Sequence, residues 1–101
     1  MTNQKTILIT GASSGIGHAL ALAYAARGTQ LLLTGRDLSR LERVGSDCRT
    51  RGAEVEISTV PVTDKLAFGE VIEKWDDVQP IDIVIANAGI SGGSAAGAGF
   101  Y

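Results

Sequence analysis

The chain has 101 residues, 45% of them hydrophobic and 20% charged, with a formal net charge of −2. That length suits one small domain, and that composition is globular and not disordered. No basic run exists, so nucleic acid is not expected as a partner, and no apolar run nears the ~20 residues of a membrane span.

In chain order, the first element is a short apolar, β-branched run from about Thr6 to Ile9. It shows no polar alternation, the pattern of a strand covered on both faces. A glycine-rich turn follows, Gly11-Ala12-Ser13-Ser14-Gly15-Ile16-Gly17. An alanine-rich helix then runs from about Ser14 or Gly15 to Arg27. Ile16, Leu20, Ala23 and Tyr24 fall on one face of it, Ala19, Leu22 and Ala26 on its flank, and Gly28 is a natural stop. The second strand is Gln30 to Thr34. The spacing back to the first strand is that of a right-handed parallel crossover. Gly35-Arg36-Asp37 ends it, and a helix from about Leu38 to Thr50 follows. Leu38, Leu41, Val44 and Cys48 lie on its apolar side, Asp37 is its N-cap and Gly52 its stop.

The third strand, Glu54 to Val60, alternates apolar and polar residues and ends at Pro61, which suits a sheet edge. A third helix starts near Thr63 or Asp64 and carries Ala67, Phe68, Val71, Ile72 and Trp75 at helical spacing. Its aromatic residues read as core. Pro80 opens a fourth strand, Ile81 to Ala86, closed by Asn87-Ala88-Gly89. Four strands alternating with three helices predict an α/β fold: a partial Rossmann fold, a parallel sheet in the order 3-2-1-4 with helices on both faces. Residues 1–90 are expected to hold this fold. Residues 91–101, mostly Gly, Ser and Ala, form a flexible tail.

Two residue types are single. Cys48 is the only cysteine, which rules out an internal disulfide or a thiolate cluster, and it reads as a small buried hydrophobe. His18 is the only histidine and reads as a solvated side chain at a helix start, so no metal site is expected. The N-terminal apolar run is too short for a signal-peptide core, and a cytoplasmic address is expected.

The stretch from Lys5 to Arg27 organises the rest. A strand that feeds a helix through glycines makes a pocket for a phosphate, because the helix start leaves unpaired N–H groups and the positive end of a dipole. Gly11 permits the sharp exit from the strand. Gly15 lets a diphosphate approach the backbone, and Gly17 lets the first helical turn pack close to the strand. With Thr10 in front, Thr10-Gly11-Ala12-Ser13-Ser14-Gly15-Ile16-Gly17 closely resembles the cofactor motif of the short-chain dehydrogenase/reductase family. The bland alternative is an ordinary strand-to-helix turn.

That resemblance covers positions 5 to about 91 and implies a nicotinamide dinucleotide held by Thr10, Gly11, Ser13, Ser14, Gly15, Ile16 and Gly17. It carries further segments. Asn87-Ala88-Gly89 resembles the family's Asn-Ala-Gly motif, which steadies the sheet and lines the cofactor ribose. Thr59 to Asp64 resembles the segment beside the adenine ring. Pro61 stands where an Asp is common, leaving backbone atoms of Val62 as the contact there and Asp64 as a helix cap. An acidic residue at the end of the second strand would bind the ribose diol of NAD. Here Gly35 and Arg36 replace it, and Arg36 offers a planar cation to the 2′-phosphate of NADP. NADP is therefore expected, with NAD the alternative. The competing reading of Arg36 is a surface side chain paired with Asp37 or Glu42.

Family members run to roughly 250 residues, and their chemistry uses a Ser and a Tyr-x-x-x-Lys set. Tyr24 is followed four places on by Gly28, and Tyr101 is the last residue, so no catalytic residue is assigned. The expectation is the N-terminal, cofactor-binding portion of an NADP-dependent oxidoreductase, truncated and inactive alone. The alternative is a non-catalytic nucleotide-binding or interaction module. The fourth strand is expected to expose an apolar edge through which copies self-associate. The sequence does not disclose a substrate.

Overall fold

The computed structural model describes residues 5–87. The elements are β1 (Lys5–Thr10), α1 (Gly15–Tyr24), β2 (Thr29–Thr34), α2 (Leu38–Thr50), β3 (Glu54–Ser58), α3 (Lys65–Val78) and β4 (Ile83–Ala86). All pairings are parallel, and the strand order is β3-β2-β1-β4. β1 is buried along its length after Lys5, as its unbroken apolar run requires. The alternating β3 lies at the edge. Residues 88–101, the expected tail among them, lie outside the described residues.

Side-chain alternation divides the sheet into two faces. Ile7, Ile9, Leu31, Leu33, Val55, Ile57, Ile83 and Ile85 share one face and pack with Ala21 of α1, Ala25 just beyond its end, and Leu41, Val44 and Cys48 of α2. Each fully buried Leu or Ile there contributes about 1.5–3 kcal/mol relative to exposure. The opposite face buries Leu8 and Leu32. A right-handed crossover from β3 to β4 runs opposite to the two before it and so carries α3 over that second face. Phe68, Val71, Ile72 and Trp75 of α3 are half-buried, and the helix has no fully buried residue. Cys48 is fully buried, and its thiol pKa is raised mainly by burial.

The inner face of α1 differs from the expectation. Gly17, Ala21 and Ala25, four residues apart, are buried, whereas Ile16 and Tyr24 are 65% and 41% exposed. Close packing is the reason. A Cβ on Gly17 would lie 2.7 Å from the Ala12 Cα and closer still to the Gly11 carbonyl oxygen. At that separation only small residues fit between helix and sheet. Gly45 of α2 serves the same end, since a Cβ there would stand 3.2 Å from Val55 Cγ1.

Several boundaries also move, each for a local reason. α1 stops at Tyr24, with Ala25 extended and its N–H bonded to the Leu22 carbonyl. Arg51 Nη1 donates to the same carbonyl. Gly28, at φ +84°, instead turns the chain into β2. β3 stops at Ser58, whose hydroxyl accepts from the Val60 N–H. The regular β4 ladder begins at Ile83, because the Asp82 carboxylate takes the Thr6 N–H at 2.8 Å where a backbone carbonyl would otherwise stand. Asp37 and Asp64 cap α2 and α3 as expected. His18 is not simply solvated: its Nε2 lies 3.2 Å from Asp47 Oδ2 and ties α1 to α2. Among the described residues no helix is long and apolar enough to cross a membrane.

Two glycine substitutions test this packing. Helix propensity alone favours Ala over Gly by about 1 kcal/mol. Gly69→Ala in α3, where a Cβ would meet nothing within 4 Å, should stabilise by about 0.5–1 kcal/mol. Gly17→Ala should instead destabilise by about 1–3 kcal/mol, since backbone must move to admit the methyl group. Chemical denaturation of the two variants reads both signs.

Candidate functional site

All four strands point their carboxyl ends the same way, and the segments that follow β1, β2 and β3 and Asn87 after β4 come together at that end of the sheet. Between them lies a cavity of about 580 Å³, within the size range of small-molecule sites. Its walls come from four segments. Gly11, Ser13, Ser14, Gly15 and Ile16 supply the first; Thr34, Gly35, Arg36 and Arg40 the second; Val60 to Thr63 the third; Asn87 the fourth.

The first wall is built around the Gly11 carbonyl. It accepts from the Ser14 N–H at 3.2 Å, from Ser14 Oγ at 2.9 Å and from Asn87 Nδ2 at 3.2 Å. Gly11 itself sits at φ +67°, a conformation glycine takes without strain. The Ala12 N–H reaches across to the Thr34 carbonyl at 2.8 Å. Ser14 is the N-cap of α1: its hydroxyl accepts from the Gly17 N–H at 3.1 Å. It accepts again from Asn87 Nδ2 at 3.1 Å. With its own proton given to Gly11, the Ser14 hydroxyl is fully engaged inside the protein. The Gly15 and Ile16 N–H groups, by contrast, have no acceptor among the described residues. Nothing within 4 Å would meet a Cβ on Gly15. The loop therefore offers open space, two orphan donors and a helix N-terminus, the arrangement that receives an anion.

Most of the residues singled out from the sequence converge here. Gly11, Ser13, Ser14, Gly15, Ile16, Arg36, Val62 and Asn87 line the cavity. Thr10 and Gly17 stand behind the wall, where they support it. The Thr10 hydroxyl accepts from the Asn87 N–H at 2.9 Å, and Gly17 seats the helix on the loop. Ala88 and Gly89 lie outside the described residues. Asn87 ties β4 to the glycine loop, a contact between residues 76 positions apart.

The charges at the second wall are arranged in a way the sequence did not disclose. Asp37 is partnered by Arg40 and not by Arg36. Its Oδ1 accepts from the Arg40 N–H at 3.1 Å, and its Oδ2 lies 3.5 Å from Arg40 Nε. Arg36 makes no ion pair among the described residues and stands exposed on the cavity rim. Gly35 packs closely beside it: a Cβ there would lie 2.7 Å from Ser13 Oγ and 3.2 Å from the Ser13 nitrogen, so the Ser13 side chain would have to turn away. Sequence reasoning missed Arg40, although a signal existed: a cation in the first turn of a helix opposes the dipole. It also missed Thr34. The Thr34 Oγ1 atom is buried without a hydrogen-bond partner among the described residues, a state that costs roughly 1–3 kcal/mol.

Comparison with known proteins agrees with this geometry. A profile of the short chain dehydrogenase family matches residues 5–98. An uncharacterised oxidoreductase of Myxococcus xanthus is 39% identical over 89 residues, which are 87% of this chain and 35% of that protein. A metagenomic short-chain oxidoreductase solved in complex with NADP superposes with a TM-score of 0.79 at 27% identity, over 89% of this chain and 41% of that one. An NAD+-bound xylitol dehydrogenase gives 0.70 at 32% identity, over 81% and 32%. The chain thus spans between about a third and two fifths of these relatives. The cofactor motif, the sheet order and these matches together make this chain a member of the short-chain dehydrogenase family.

Proposed function

We propose that this chain is the cofactor-binding part of an NADP-dependent oxidoreductase that moves a hydride between NADPH and a carbonyl or alcohol. The observation that carries the reading is the cavity at the carboxyl ends of the strands. Gly15 and Ile16, whose N–H groups have no acceptor among the described residues, line it on one side, and Arg36, which makes no ion pair among those residues, lines it on the other. Gly15, with open space at its Cα, and the start of α1 would hold the diphosphate. Val60, Pro61 and Val62 would flank the adenine. Arg36 would meet the 2′-phosphate. NADP in one solved relative and NAD+ in another support a nicotinamide dinucleotide of either kind. The choice of NADP rests on Arg36 and on the engagement of Asp37 by Arg40, which compensates the acid beside Arg36. When bound, the cofactor supplies the hydride.

Residues 1–90 serve as the binding half in this reading, acting in the cytoplasm. The 101 residues contain no Tyr-x-x-x-Lys set, so the chain by itself lacks the acid/base group that carbonyl reduction needs. Among the described residues β4 pairs with β1 alone, and Val84 is 61% exposed. An apolar strand edge of this kind templates pairing with a further strand. In solutions of the isolated chain, a second copy takes that place.

Three outcomes follow. Titration of the purified chain should give tighter binding of NADP than NAD. Arg36→Asp should reverse that order, by about tenfold or more in the ratio; an unchanged ratio would sink the choice of NADP. Incubation of the chain with NADPH and a panel of ketones and aldehydes should give no oxidation at 340 nm, and measurable turnover would contradict the assignment of a binding part only. Light scattering should show a mass that rises with concentration above 10.5 kDa, and Val84→Lys should shift it toward monomer.

A further inference from the structure

We propose that Arg40 is a second binding group for the anion carried on the adenosine ribose, held until then by Asp37. The assignment rests on the dinucleotide reading above and adds to it a residue that decides between ligands. Arg40 lines the same cavity as Arg36, four residues away and on the first turn of α2. A cation at that point is disfavoured by the positive end of the helix. It is retained beside an anion, and in this structure the anion is Asp37.

The Asp37–Arg40 pair has two unequal halves. Oδ1 of Asp37 caps the helix by accepting the Arg40 N–H at 3.1 Å. Oδ2 faces Arg40 Nε at the longer distance of 3.5 Å, with the two side chains 49% and 70% exposed. An exposed pair of this kind holds weakly. A phosphate dianion carries more charge than a carboxylate and presents three oxygens to a guanidinium fork. Arg40 can therefore leave Oδ2 for such an anion while Oδ1 keeps the helix capped. Arg36 and Arg40 together then outweigh the single charge of Asp37. Without Arg40, Arg36 and Asp37 would cancel, and a 2′-phosphate would gain little over a free hydroxyl.

The test is isothermal titration of the purified chain with 2′,5′-ADP and with 5′-AMP, which differ only in the ribose phosphate. Arg40→Gln should weaken 2′,5′-ADP by about tenfold and leave 5′-AMP within about twofold. Asp37→Asn keeps a capping oxygen and removes the competing charge, so it should tighten 2′,5′-ADP several-fold with 5′-AMP unchanged. Thermal melts establish that both variants fold. Equal loss of both ligands in Arg40→Gln would make Arg40 merely structural and overturn the assignment. Unchanged 2′,5′-ADP affinity would overturn it as well, while leaving the dinucleotide reading in place. If the parent chain binds neither nucleotide, the dinucleotide reading itself falls and this assignment with it.

Discussion

One carbonyl oxygen, that of Gly11, sets the terms for the rest of the structure. It ends β1, receives three hydrogen bonds from Ser14 and Asn87, and lies where a side chain on Gly17 would otherwise be. Each contact fixes a different element. The Ser14 bonds set the start of α1, and the missing Cβ of Gly17 sets its height above the sheet. The Asn87 bond reaches across to β4. Because interiors pack as densely as crystals, a shift at this point would propagate into the placement of α1, and with it the small-residue face of Gly17, Ala21 and Ala25.

The same arrangement explains why the site is polar at one end and dry beneath. Hydrogen-bond capacity within the loop is spent internally at Ser14, Thr10 and Asn87, so these residues shape the cavity wall. The donors left over are backbone N–H groups at a helix start. Such donors are fixed by the backbone and do not rotate away, which suits them to an anion. Beneath them Ile7, Ile9, Leu31 and Leu33 exclude water from the sheet. At the far wall, Asp37 caps a helix with one oxygen and restrains a cation with the other. Helix capping and the placement of a cation are thereby coupled through a single carboxylate.

The order of elements, the parallel sheet and the cluster of residues proposed as the site were legible because they rest on local chemistry. Unbroken apolar runs mark buried strands, Asp37 and Asp64 mark helix starts, and the glycines from 11 to 17 mark a phosphate turn. Readings that depended on distance between chain segments were less secure. Ile16 and Tyr24 read as the inner face of α1 because large apolar residues usually are. The close seat of the helix reversed this, since there is no room for them. β4 read as starting at Ile81, but at Asp82 the Thr6 N–H goes to the side-chain carboxylate while the Asp82 N–H reaches the Thr6 carbonyl, and the regular register begins at Ile83. His18 read as solvated until Asp47, 29 residues on, was brought beside it.

By itself, then, the sequence determined the fold class, the strand order and the position of the glycine-rich loop, because periodicity, caps and glycines act within a few residues of where they stand. Tertiary structure alone decided which face of α1 is buried, that Asn87 locks the loop, and that Asp37 engages Arg40 and leaves Arg36 clear. Those outcomes depend on separations of a few ångströms between side chains, and spacing along a chain does not encode them.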